Sequence, residues 1–254
     1  MSKIIIDNIS KTYSSAREGP KNVIKNLSLD IQEGEFITFF GPNGCGKTTL
    51  LNILAGIIPV DSGKIVIDSK HPKEARTGLI FQNYDESLMP WLTCEENILF
   101  PFSFKIRKGE REVGKIKLKR LLGELNLELP LRNHPYQLSG GQQQLVSILR
   151  TLIYNPDVIL MDEPFSALDY KTRAYIQLVL LDIWQKENPT ILFVSHDIEE
   201  AMFLADRLVL LSSIPATVKE IVRIPFNRPR KKSLFESEEF YLLKMKCLKI
   251  VEKE

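Results

Sequence analysis

Apolar positions along the chain change period several times. Residues 3–9 are rich in β-branched side chains and predict a strand; 27–31 and 35–40 follow as strands, with a turn at Glu33-Gly34 between them. A glycine-rich turn then leads into residues 47–56, a predicted helix that ends near Gly56 and Pro59. Residues 64–68 and 77–81 read as further short strands. From about residue 85 to 138 helical signals dominate, at 94–100 and in the charged stretch 110–127. Alternation then resumes: helix 141–154, strand 157–161, helix 170–186, strand 190–194, helix 197–205 and strand 207–211. The strands at 157–161 and 190–194 are almost wholly apolar, as parallel strands covered on both faces are. The order predicts an α/β nucleotide-binding layout interrupted by a helical arm.

Composition narrows the classes. The chain has 254 residues, 44% apolar and 26% charged, enough for one large domain or two small ones and unlike a disordered or fibrous protein. No apolar run reaches the roughly 20 residues of a membrane span. The N-terminus turns polar after three isoleucines, unlike a secretory leader, so a cytosolic protein is expected. Charge is nearly balanced, 34 basic against 32 acidic residues, which gives no bulk attraction to nucleic acid. Cys45, Cys94 and Cys247 lie far apart, form no CxxC pair and have no histidine at ligand spacing, so reduced thiols are expected rather than a disulfide or zinc site.

Two segments carry phosphate chemistry. Gly41-Pro42-Asn43-Gly44-Cys45-Gly46-Lys47-Thr48 fits GxxxxGK[ST] and sits between a strand and a helix, as a phosphate loop requires. Its glycines let backbone N–H groups turn inward as an anion nest, and the helix that follows points its positive end at the phosphates. Lys47 supplies charge at the β/γ-phosphates and the Thr48 hydroxyl a ligand for Mg²⁺. The second segment, 157–164, is an apolar strand ending in Asp162, Glu163 and Pro164. Strand ends beside a phosphate loop are where α/β sheets bind ligands. Asp162 is expected to hold Mg²⁺, and Glu163 to act as general base on water.

At Leu138-Ser139-Gly140-Gly141-Gln142 the chain closely resembles the ATP-binding subunits of ABC transporters, from about Lys3 to Ile224 and with motifs in family order. The resemblance implies a P-loop NTPase fold: a RecA-like core (1–84 and 155–226) with an N-terminal antiparallel β-subdomain, an inserted helical subdomain (85–154) and a C-terminal helical tail (227–254). It places Tyr13 against adenine, carries the phosphate-binding run through Thr49, and makes Gln82 the Q-loop glutamine that senses Mg²⁺ and the γ-phosphate. Ser139, Gly140, Gly141 and Gln142 become the signature, 166–169 the D-loop ending in Asp169, and His196 the switch histidine at the γ-phosphate. Gly140 and Gly141 lead into a helix whose start offers free N–H groups, so the chain has a second phosphate-facing surface. In the family the two surfaces meet only across a head-to-tail dimer, with each ATP between one chain's loop and the partner's signature. The pattern departs at Leu145, where the family commonly has an arginine that serves the helix or an interface. Arg150, further along the helix, matches the family.

The segment 88–101 combines Trp91 and Leu92 with prolines, and predicts a partner surface. In ABC ATPases this region receives the membrane subunit. Pro90-Trp91-Leu92-Thr93 with Glu96-Asn97, and the tail from Ile224 to Arg230, resemble the nitrate, sulfonate, taurine and related organic-anion importers. The resemblance thus implies a peripheral ATPase at the cytoplasmic face of the membrane, partnered by a second copy, by permease chains and indirectly by a solute-binding protein, without nucleic acid. Lipoprotein-export and cell-division ABC ATPases share the catalytic motifs and are the alternative. DNA-repair and translation types carry coiled-coil insertions or paired cassettes, which this chain lacks. Phe240, Leu243, Cys247 and Val251 recur at helical spacing and predict a C-terminal helix, either packed on the domain or lying on a membrane surface with Arg230, Lys231 and Lys232 near anionic lipid.

Overall fold

The computed structural model describes residues 2–15, 19–82, 87–103 and 109–252. A six-stranded sheet organises it, in the order β5 (Thr77–Ile80), β6 (Val158–Asp162), β7 (Ile191–Ser195), β3 (Phe36–Phe40), β8 (Arg207–Leu211) and β9 (Val218–Arg223). The pairs from β5 through β8 are parallel and β9 is antiparallel. Every residue of β3 and β7 is buried, the reason both read as unbroken apolar runs.

A smaller antiparallel sheet, β2 (Gly19–Gln32), β1 (Ser2–Ser15) and β4 (Ser62–Ile67), covers one face. Its Ile4, Ile6 and Leu27 share a core with Phe39 of β3 and with Leu50 and Leu51 of α1 (Lys47–Leu54). On the opposite face Phe36 and Phe193 meet α4 (Gly140–Ile153) and α5 (Tyr170–Glu187) through Ile148, Ile176 and Leu180. A third cluster joins α2 (Cys94–Ile98), α3 (Arg111–Glu124) and α4 through Cys94, Ile98, Leu118, Leu121, Val146 and Leu149. The fourth joins α6 (Ile198–Leu204), β8 and α7 (Glu238–Glu252).

Local chemistry starts and stops these helices. Thr93 with Glu96, and Ser139 with Gln142, form capping boxes at α2 and α4. Asp169 caps α5, which ends where Asn188 turns left-handed at φ 48°.

Several expectations are revised. β1 and β2 each run 14 residues, well beyond the predicted 3–9 and 27–31. The added half of β1 is polar, so no alternation marks it; backbone pairing such as Tyr13 with Lys21 extends it instead. β9 was not predicted, because only Val222 of its residues is buried and an exposed edge strand carries little pattern. The C-terminal helix packs on the domain, the first of the two expected placements, with Phe240 and Cys247 buried, although it begins at Glu238. Leu145 is buried between α4 and α5, so the residue that replaces the family's arginine is a core side chain there, worth ~1.5–3 kcal/mol of burial. The expected boundary at 84–85 falls outside the described residues.

Candidate nucleotide site

β3 delivers the chain to Gly41, and the loop that follows turns into α1. Gly46 has φ 112°, and a Cβ there would lie 2.8 Å from Cγ1 of Val23, so both conformation and space demand glycine. No side chain caps α1 and no acid occupies its first turn, so its leading amides and positive dipole end stay available to an anion. The Lys47 ammonium is buried and donates to the carbonyls of Gly41 (2.8 Å) and Pro42 (3.1 Å). These bonds hold it against the loop, with one N–H left over. Cys45 contributes backbone only: its thiol lies in the core, and its N–H donates to the Pro42 carbonyl at 3.2 Å.

The loop lines a pocket of about 360 Å³ together with Tyr13, Asn43, Thr48, Thr49 and Glu163. Tyr13 is partly exposed, as a ring must be to stack on a base. Lys21, Val23 and Ile214 complete the wall. Sequence reading did not find these three, because they arrive from β2 and from the turn after β8 and belong to no motif.

β6 ends at Asp162 beside the loop. Burial pushes the Asp162 carboxyl above the usual range, and neighbouring Glu163 adds to the rise; a hydrogen bond from Thr48 and the charge of Lys47 oppose it. Among the described residues no group of three or more His, Cys, Asp or Glu side chains converges to hold a metal. The pair of hard oxygen donors at Thr48 and Asp162 is nevertheless what Mg²⁺ accepts when phosphate oxygens and water complete its shell. Mg²⁺ therefore fits here with nucleotide.

Glu163 takes a left-handed φ of 43°, uncommon for a residue other than glycine. Its N–H donates to the Val194 carbonyl at 3.0 Å, which ties β6 to β7 at this point. Its Oε2 lies 2.7 Å from Nδ1 of His196, just beyond the end of β7. The carboxylate lines the phosphate-loop pocket, and the imidazole pairs with it.

Gln82 is exposed and shares a different cleft, about 670 Å³, with Asp162, Ser87 and Arg150. Arg150 donates to the carbonyl (2.7 Å) and hydroxyl (3.0 Å) of Ser87, holding the segment that follows residues 83–86. Near this cleft Asn97 is fully buried, and its side chain donates to the carbonyls of Met89, Leu92 and Thr93. That staple holds out the loop carrying Trp91, which is 71% exposed.

None of Ser139, Gly140, Gly141 and Gln142 lines the phosphate-loop pocket, and neither does Asp169. The Ser139 hydroxyl accepts from the Gln142 N–H at 3.4 Å, while the Gln142 side chain accepts from the Ser139 N–H at 2.9 Å. Gly141 is there for packing: a Cβ would come within 2.4 Å of Cγ2 of Thr172 on α5. The Asp169 carboxylate accepts from the N–H groups of Lys171 and Thr172, so within the chain it serves its own helix.

The order of these features along the chain agrees with comparison to known sequences. The family described as ABC transporter matches residues 24–166. The chain belongs to the ABC transporter family of ATP-binding subunits. An aliphatic sulfonates import ATP-binding protein of Bacillus cereus is 38% identical over 96% of this chain and 94% of its own. A bicarbonate transport ATP-binding protein of Synechocystis is 41% identical over 95% and 86% respectively. A solved dimeric ATP-binding cassette in a post-hydrolysis state with ADP and Pi superposes with a TM-score of 0.72 at 33% identity, over 88% of this chain and all of that one. As an ABC ATP-binding subunit the chain is an ATPase with the P-loop NTPase fold that uses ATP and Mg²⁺. No helix among the described residues is long and apolar enough to cross a membrane.

Proposed function

We propose that this chain is the peripheral ATPase of an importer for a small anion, acting at the cytoplasmic face of the membrane. Its sulfonate and bicarbonate relatives support the anion class, and the exposed Trp91 loop supports docking to a permease. The solute itself is selected by the permease and a solute-binding protein. In this reading residues 1–84 and 155–226 form the nucleotide core, 85–154 the helical arm and 227–254 the tail.

ATP enters with its adenine on Tyr13 and its phosphates in the 41–49 loop, where Lys47 and the amides opening α1 bind the β- and γ-groups. Thr48 and Asp162 would hold Mg²⁺, which would offset phosphate charge there, and Gln82 would serve the same ion from the cleft it shares with Asp162. Glu163 takes a proton from the attacking water as the water oxygen bonds to the γ-phosphorus and the bond to the β-phosphate oxygen breaks. His196 holds the Glu163 carboxylate in place and contacts the γ-phosphate. Ser139, Gly140, Gly141, Gln142 and Asp169 serve the ATP bound to the partner chain. ATP thereby joins the two subunits, and its hydrolysis releases them.

The observation that carries this reading is the Glu163–His196 pair beside a phosphate loop that the chain's own signature does not reach. Ser139→Arg tests it. The variant should bind ATP normally and fail to dimerise with ATP, read by light scattering. Normal ATP-driven dimerisation would contradict the shared site.

A further inference from the structure

The switch histidine leads directly into α6, whose seven residues are too few to be stable alone. The Asp197 side chain accepts from the N–H groups of Glu199 and Glu200 at its start. At its other end stands Arg230, 5% exposed, reaching back from the C-terminal tail. Its Nη1 donates to the carbonyls of Met202 (3.0 Å), Phe203 (2.8 Å) and Ala205 (2.7 Å), and its Nε to that of Phe226 (3.2 Å). Burial pulls its pKa down to about 10, so it remains a cation at neutral pH. A buried cation at a helix C-terminus satisfies the last carbonyls and complements the dipole together.

α6 reports to the histidine through its middle. The buried Glu200 carboxylate accepts from Ser195 Oγ, the residue before His196, at 2.5 Å, and from Gln177 of α5 at 2.9 Å. Displacement of α6 therefore moves the strand end that carries His196. The tail adds a stacked Phe235 on Phe203, with ring centroids 5.0 Å apart, and an ion pair of Lys244 with Glu199 at 2.7 Å.

We propose that Arg230 is a positioning residue for ATP hydrolysis, which fixes the C-terminal end of α6 so that His196 stays in register with Glu163. The inference rests on the assignment of His196 to hydrolysis. Neither Arg230 nor any other residue of the tail lines the phosphate-loop pocket. Its loss therefore acts on turnover and not on ATP binding. Lysine keeps the charge but cannot span these carbonyls as a guanidinium does.

The test uses the full chain with Arg230→Met, Arg230→Lys and, as reference, His196→Ala. For Arg230→Met, kcat should fall roughly ten-fold, the order expected when a reacting group is misplaced by a fraction of an ångström, with KM for ATP unchanged within about two-fold. Arg230→Lys should lie between that variant and the parent. The chain has three histidines, so the imidazole resonance lost in His196→Ala identifies His196 in NMR spectra. That resonance should shift in Arg230→Met while those of His71 and His134 hold still. A folded Arg230→Met with parental kcat, or with an unmoved His196 resonance, overturns the proposal. If the methionine variant does not fold, Arg230→Lys is judged by the same two readings. Full turnover in His196→Ala would instead sink the site assignment, whereas loss there beside normal Arg230 variants would sink only the positioning role.

Discussion

Nδ1 of His196 lies 2.7 Å from Oε2 of Glu163, although the two residues stand 33 positions apart and just past the ends of different strands. The carboxylate is held at the end of β6 by a left-handed backbone turn, and the imidazole at the end of β7 by α6. Neither residue is deeply buried, so a water molecule has access to both.

Glu163→Gln should therefore lower kcat by about 10²–10⁴-fold, the range for loss of a general base. ATP affinity should change little, because Lys47 and the loop amides do not depend on that carboxylate. With ATP the variant should elute as a dimer from a sizing column. Parental turnover would remove Glu163 as the base.

Gly141→Ala should destabilise the fold by ~1–3 kcal/mol, the usual cost of overpacking, because its new methyl meets Cγ2 of Thr172 at 2.4 Å. Thr172→Ser removes that methyl group and should restore most of the loss in the double variant. Urea unfolding of the four proteins gives the coupling. Additive losses would mean that the two helices do not press on each other here.

Trp91→Ala should leave stability within about 0.5 kcal/mol and the ATPase rate of the isolated subunit unchanged, since the ring projects from its loop. Association with co-expressed permease chains should weaken markedly, read by co-purification from membranes. Equal recovery of the permease would reject docking at this loop.

Burial pushes the Glu200 carboxyl above its ordinary value of 4.5. Above pH 4.5 the unfolded chain releases this proton while the native chain still holds it, so this group makes stability fall as pH rises toward the native value. In Glu200→Gln that contribution disappears. Unfolding free energies measured from pH 5 to 8 should decline less steeply with pH in the variant than in the parent. Parallel profiles would show that Glu200 does not titrate in this window.

The candidate phosphate loop and the Asp162-Glu163 strand end show in a few consecutive residues, because backbone amides, a helix start or a strand end need only local sequence; the signature and the switch histidine are read from the resemblance. Other features were not legible. Lys21, Val23 and Ile214 wall the nucleotide pocket from outside any motif. Asn97 supports the Trp91 loop from inside the helix that follows it. The polar half of β1 carries no period, and its pairing is with β2 alone over Lys11 to Ser14.

The sequence by itself determined the alternating α/β order and the identity of the phosphate chemistry, because both are written in short-range patterns of apolar side chains, glycines and charges. Only the tertiary structure decided how those groups are held. Gly141 is required by a threonine 31 residues away, and α6 is closed by an arginine 25 residues beyond its cap, through contacts that chain separation conceals. Such contacts follow from the packing of whole elements on a sheet, and a local pattern carries no record of which distant surface a helix end will meet.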